Sequence, residues 1–485
     1  MKPLCGVGAR PATNLDGSRS PILHLLSVRF VSYMPRPPLL PTRRFVAAGL
    51  ALAISGHGRF GRAGAQDGSA TGGRTWRAGF LRYRLRPDAT VDAELWSLDS
   101  RTPTPILRLG HAEELRIKLV NETPRPLSLH WHGVRGPNPM DGAGGLTQEP
   151  VAPGGSFEYR FVPPEPGTFL VRPCILGGSA EPLERGLSAA LVVEEPSPPP
   201  VDLDLLLVVD DWLVGEDGGL LPFGPPEQAL GRLGNVVTVS GEAAPAARTL
   251  RPGSRVRVRL LNACNARTMR LRFDGLKPYV AAVDGQPTDT FEPLKASVPF
   301  APGNRYDFLI DLPDEAGATG TIMATVGQGV VLLTLRTEGE RRAPLASIAP
   351  LPPNRSLPAA IRLQNASRKD LVIRGDPAAR AAWTINGAPG NAEKALLSVR
   401  RGQPVVLALK NETPVVQPFH LHGHVFRLLH PFDDGWDPYF LDTVQVPENR
   451  TVRIAFNADN PGKWLIASTV MERFDAGLWT WIEVS

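Results

Sequence analysis

Val120-Asn121-Glu122-Thr123-Pro124, Leu261-Asn262-Ala263-Cys264-Asn265 and Lys410-Asn411-Glu412-Thr413-Pro414 are one element met three times. Each closes a run that opens at a glycine: Gly110, Gly253 or Gly402. Leu115-Arg116-Ile117-Lys118-Leu119 and Val256-Arg257-Val258-Arg259-Leu260 alternate apolar with charged residues, and His424 to Leu428 does so in part. Period-two alternation predicts half-buried strands. The three asparagines stand 141 and 149 residues apart, a domain's length and far beyond a solenoid repeat. The fold class read from this is all-β, with three related β-sandwich domains over 72–196, 199–343 and 360–485. Glu195-Pro196-Ser197-Pro198-Pro199-Pro200 makes a stiff first linker, and the proline-rich stretch from Arg342 to Leu357 makes the second. The 50 prolines and 48 glycines disfavour long helices and suit short strands joined by turns. Weak helical patterning is confined to 226–232 and 376–383.

The formal charge of +5 is misleading. Residues 1–65 hold nine of the 53 Lys and Arg but only one, Asp16, of the 48 acidic residues, so the remainder carries a net −3. That excludes a basic nucleic-acid binder by composition. Within 1–65, Pro41-Thr42-Arg43-Arg44-Phe45 precedes an apolar run from Val46 to Ile54 and then Ala63-Gly64-Ala65, the order of an export signal. The paired arginines predict a twin-arginine signal with Met34 as a candidate start, and hence a periplasmic location. No membrane span is expected beyond it. Of Cys5, Cys174 and Cys264, the last two lie in the mature part, where one bond between them is an option in an oxidising compartment.

Seven of the nine histidines follow the leader, and five of those fall in two clusters. One is His130-Trp131-His132-Gly133. The other is Gln417-Pro418-Phe419-His420-Leu421-His422-Gly423-His424. Residues i and i+2 of a strand share a face, so each His-x-His pair can offer two imidazoles to one site. Imidazole suits copper and zinc. The candidate metal ligands are therefore His130, His132, His420 and His422. The alternative is that these histidines are packed and hydrogen-bonded across a domain interface. Trp131 and Trp464 read as core, Cys264 as buried and inert, His111 and His430 as surface residues, and Asp433 to Asp437 as a turn.

Other motifs extend the pattern: Met140-Asp141-Gly142, Thr147-Gln148, Pro153-Gly154-Gly155-Ser156-Phe157, Gly167-Thr168-Phe169, Gly186-Leu187, Pro461-Gly462-Lys463-Trp464 and Asp475-Ala476-Gly477-Leu478. With them the chain resembles the multicopper oxidases of laccase type over essentially its whole mature length. The resemblance implies three cupredoxin-like Greek-key β-sandwich domains in tandem. It implies a type 1 copper that takes electrons from substrate through a cysteine thiolate, and a cluster of one type 2 and two type 3 coppers that reduces O₂ to water. His130 and His420 match type 2 ligands, and His132 and His422 match type 3 ligands. His424 belongs to the motif but is not a ligand of the family.

The same resemblance marks departures. Arg172-Pro173-Cys174 stands where the second His-x-His belongs. Gln417 replaces a type 1 histidine. Ala467-Ser468-Thr469 stands where His-Cys-His belongs, Arg473 replaces the last histidine, and Leu478 is at the axial position. The expectations are no catalytic residues and no full four-copper set, with one Cu or Zn ion as the cofactor at the residual histidine site. A non-catalytic periplasmic structural or interaction protein leads the functional readings, in the manner of a copperless, twin-arginine-exported relative that supports cell division. A periplasmic metal-binding protein is the alternative, and a copper-dependent oxidoreductase acting on phenols or metal ions with O₂ is the second alternative. A monomer with a periplasmic protein partner is expected, and the middle domain is expected to brace the other two.

Overall fold

The computed structural model describes residues 73–99, 101–223, 231–375, 382–433 and 435–485; the leader lies outside them. The asparagine of each repeat explains the repeat. Asn121 is buried, its amide donates to the carbonyls of Arg125 (2.7 Å) and Val151 (2.8 Å), and its Oδ1 accepts from the Thr123 N–H. Asn411 does the same with Val415, Val446 and the Thr413 N–H. Asn262 does so with Arg267, Phe300 and the Cys264 N–H. A side-chain amide has both donors and an acceptor, so one asparagine satisfies two carbonyls and one amide where a strand turns a corner.

The ladders repeat as well. The strand ending at each asparagine pairs in parallel with an earlier one: Leu119 opposite Trp76, Leu260 opposite Leu207, and Leu409 opposite Leu371. Its other edge pairs antiparallel with Ser156–Phe161, Arg305–Asp311 or Thr451–Ala458. Among the described residues six sheets result, two per repeat, of four and four, seven and five, and five and five strands. In the second sheet of each repeat, Leu129–His132, Met269–Asp274 and Gln417–Leu421 hold equivalent places, each antiparallel to Gly167–Pro173, Thr319–Ala324 or Gly462–Ser468. The first and third of these strands carry the histidines; the middle one reads Met-Arg-Leu-Arg-Phe-Asp and carries none.

One sequence expectation is corrected. Leu115–Asn121 alternates buried and exposed as predicted, but Arg255–Asn262 is buried along both faces. Arg257 meets Asp307 (2.6 Å) and Glu195 (2.5 Å), and Arg259 meets Asp204 (2.7 Å) and the Thr168 hydroxyl (3.0 Å). The face that reads as solvent-facing is covered by the first domain, where Leu170, Ala190 and Val192 pack on Leu206, Val208 and Leu261. Paired arginines are buried at tolerable cost because their partners are built in. The helix expectations at 226–232 and 376–383 fall mostly outside the described residues, and Gly231, Arg232, Ala382 and Trp383 carry no helix. The described α-helices are single turns, Ala180–Glu184 and Met471–Asp475. No helix among the described residues is long and apolar enough to cross a membrane.

Candidate metal centre

Two strand ends bring the histidines together. His130 and His132 lie on Leu129–His132; His420 lies on Gln417–Leu421, with His422 just beyond it. All four are buried. The rings form two stacks, each joining the first domain to the third: His130 on His422 and His132 on His420, both with centroids 3.6 Å apart. The glycine after each pair is required. Gly133 has φ +95, and a Cβ there would strike the Arg305 guanidinium and Asp442. Gly423 has φ +64, and its Cβ would enter the Trp464 ring. Only glycine combines that backbone with so close an approach.

The hydrogen bonds set the tautomers. His130 Nδ1 lies 2.8 Å from the Asp141 carbonyl, and His420 Nδ1 lies 2.9 Å from the Asp442 carbonyl. A carbonyl only accepts, so both Nδ1 atoms carry the hydrogen and both Nε2 atoms carry a lone pair. His422 Nδ1 donates to Asp141 Oδ2 at 2.9 Å, which leaves its Nε2 bare as well. The bare His130 and His420 Nε2 atoms face each other at 3.2 Å. Two lone pairs at that distance repel unless a cation lies between them. Donor atoms of His130, His420 and His422 all fall within 4.8 Å of one another, the donor set that a single imidazole-bound ion requires. On the other stack, the Thr443 hydroxyl donates to Asp442 Oδ1 and so accepts from His132 Nε2 at 2.9 Å. His132 Nδ1 is then a buried lone pair with no hydrogen-bond partner.

Burial favours the neutral form of three of these rings, His132, His420 and His422. It pulls His420 down to about 4 and His422 to about 3, and it holds His132 well below the usual range, with neighbouring imidazoles adding to the effect for His422 and His132. Two aspartates orient the rings, and the sequence singled out neither for this role. Asp141 was legible inside Met140-Asp141-Gly142, whereas Asp442 sat in no recognised motif. Burial favours their neutral acids, but the His422 and His130 imidazoles hold Asp141 low, and Arg305 holds Asp442 low. Arg305 comes from the middle domain and grips Asp442 through both oxygens, at 2.9 and 2.5 Å. The middle domain therefore contributes to the centre and does more than brace it.

A cavity of about 10 Å³, room for about one water, lies beside the rings, lined by His130, His422, Arg172, Cys174, Ala467 and Ser468 among others. Arg172 pairs in register with His130 across the sheet, and Phe419 pairs with Ser468. Burial lowers the Arg172 guanidinium to about 10, and its Nη1 donates to the Thr469 carbonyl at 3.5 Å. Gln417 is engaged by Arg473 (2.9 Å) and donates to the Thr413 hydroxyl. His424 does not join the ring cluster; its Nε2 accepts from the Asn460 amide. Cys174 and Cys264 are both free and buried, so the bond between them does not form. Trp131 and Trp464 are buried core residues, while His111 and His430 are exposed.

An imidazole cluster held between the outer two of three homologous β-sandwiches is the arrangement of a copper-binding protein of the cupredoxin class. The comparisons with known proteins agree. Family profiles described as multicopper oxidase match residues 82–198, 224–336 and 358–485, and the chain belongs to the multicopper oxidase family. It is 30% identical to multicopper oxidase MmcO of Mycobacterium tuberculosis over 75% of this chain and 78% of that protein. It is 26% identical to Laccase-1 of Fomitopsis schrenkii, over 75% and 78% respectively. A multi-copper oxidase structure from Pseudomonas thermotolerans superposes with a TM-score of 0.76 at 32% identity, covering 86% of this chain and all of that one.

Proposed function

We propose that this chain is an exported, periplasmic member of the multicopper oxidase family that binds a single copper or zinc ion at His130, His420 and His422 and does not run the four-copper reaction. The observation that carries this reading is the pair of bare Nε2 atoms facing each other at 3.2 Å with their Nδ1 hydrogens engaged by backbone carbonyls. The residues present fit one imidazole-bound ion. They do not fit the family's full set. Ser468 offers no thiolate for a type 1 copper, Gln417 is engaged by Arg473, and the Arg172 guanidinium lines the cavity beside the rings. A buried cation there opposes further metal ions, since unit charges 4 Å apart interact by about 4 kcal/mol at an effective dielectric near 20. No electron-transfer step is therefore assigned to this chain.

A scaffold or partner-binding role is the second reading. It is favoured by the protein partner that His132 Nε2 already has, the Thr443 hydroxyl at 2.9 Å. Under either reading the protein is a monomer, with a periplasmic protein as the partner in the second.

The test is to load purified protein with Cu(II), remove the excess, and measure copper content and the EPR and visible spectra. We expect one copper per chain, a type 2 signal and no blue band, all lost in His130→Ala. Absence of bound copper in folded protein selects the scaffold reading. O₂ uptake coupled to oxidation of a phenol or ferrous iron would overturn both.

A further inference from the structure

A second group of buried donors sits in the middle domain and shares no residue with the histidine centre. Asp210 and Asp211 end the strand Leu203–Trp212, and Cys264 follows the corner asparagine Asn262. At this place the first and third repeats have Thr123 and Thr413, whose hydroxyls bond their corner asparagine at 2.7 and 2.6 Å. The middle repeat replaces that hydroxyl with sulfur. The Cys264 thiol makes a weak contact to the Val209 carbonyl at 3.8 Å and has the Asp211 carboxylate as its other hydrogen-bonding neighbour. One donor atom from each of Asp210, Asp211 and Cys264 lies within 4.8 Å of the others, and the three residues are 6%, 3% and 1% exposed.

The group is short of positive charge and of hydrogen-bond donors. Asp211 Oδ2 takes Arg267 (2.7 Å) and the Gly234 amide (2.5 Å), but its Oδ1 has no partner. Asp210 accepts one bond, from the Asp211 amide, and no cation among the described residues pairs with it. Next in sequence, Asn265 Oδ1 is buried with no donor, and so is Oε2 of Glu472, which Asn265 contacts. Glu184, paired with Arg232 at 2.7 Å, lies near enough for Asp211 and Glu472 to add to the burial that raises its carboxyl well above the usual range. Buried acceptors without donors are uncommon in folded proteins, and each calls for an explanation.

We propose that Asp210, Asp211 and Cys264 form a second metal site, for a divalent ion of borderline character such as Zn(II), at the junction of the middle domain with Glu184 of the first and Glu472 of the third. The donor types make this choice. Zinc accepts thiolate and carboxylate together, whereas calcium and magnesium take oxygen alone and Cu(I) selects soft sulfur ligands. On binding, the Cys264 S–H bond breaks and its proton passes to buffer with any proton that burial keeps on the Asp210 carboxyl; metal–sulfur and metal–oxygen bonds form, with no change of oxidation state. The ion supplies the charge that Asp210 lacks and fills the acceptor left open at Asp211 Oδ1.

Co(II) is the probe, because a thiolate ligand gives it a charge-transfer band that imidazole and carboxylate do not. The full protein carrying His130→Ala and Cys174→Ser, which silence the histidine centre and the other buried thiol, is dialysed against Co(II). We expect one Co(II) per chain with the thiolate band. Adding Cys264→Ser should abolish the band, and Asp210→Asn, nearly isosteric and checked for folding by circular dichroism, should weaken binding by about tenfold or more. Absence of the band in the double variant, its persistence in Cys264→Ser, or unchanged affinity in Asp210→Asn would overturn the proposal. If Cys264→Ser fails to fold, the Asp210→Asn affinity decides.

Discussion

At the scale of single residues, the centre is a problem of protonation. His420 and His422 are neutral in the fold, drawn by burial to about 4 and about 3 from an ordinary value of 6.5. Below 6.5 the unfolded chain takes up protons that these rings refuse, so the folded state loses stability as pH falls from 6.5 towards 4. Asp141 and Asp442, held below the usual carboxylate range, act in a separate window, giving up stability only below their ordinary 3.8. We expect the urea midpoint of metal-free protein to fall steadily across the upper window, and His422→Gln to flatten that fall. Bound metal competes for the same lone pairs, so copper affinity should weaken over the same range. The candidate ligand residues were legible because His-x-His occurs at matching places in two repeats. Their tautomers were not, because the carbonyls that set them belong to Asp141 and Asp442, 11 and 22 residues away from His130 and His420.

At the scale of elements, the corner asparagine carries the repeat. Truncating Asn411 to alanine strips the carbonyls of Val415, Val446 and Pro447 of their donor. Leaving buried acceptors unsatisfied costs about 1–3 kcal/mol, and we expect urea unfolding of Asn411→Ala to register a loss of that size, with Asn262→Ala similar. An Asn411→Ala protein as stable as the parent would show that water replaces the amide. Strand identity was readable from alternation in both Leu115–Asn121 and Arg255–Asn262, but only the first is half exposed. Alternation reports that two faces differ. It does not report whether the polar face meets water or, as here, is paired with Asp204 and Asp307 of its own sheet and covered by the first domain.

At the scale of the whole molecule, the middle domain supports the candidate metal centre through Arg305 and Asp284, the latter accepting from the Asp442 and Thr443 amides. Arg305 holds Asp442, and Asp442 contacts His420 Nδ1 through its carbonyl (2.9 Å) and its carboxylate (3.2 Å). Arg305→Met leaves a buried aspartate unpaired, a change of about 3–5 kcal/mol. We expect it to lower the urea midpoint and weaken copper binding together, and a further Asp442→Asn to recover part of the stability while leaving the affinity low. Recovery of affinity as well would mean that Asp442 does not orient the ring. Sequence alone determined the all-β class, the threefold repeat, the family and the four histidines, because strand alternation, corner asparagines and His-x-His spacing are local patterns within a few residues of one another. Tertiary structure decided that His130 and His420 face each other across two domains, that Arg305 completes their support, and that Asp210, Asp211 and Cys264 meet. Those contacts join segments from about 50 to nearly 300 residues apart in the chain, and only packing, which has no signature in local sequence, sets which distant side chains share a buried space.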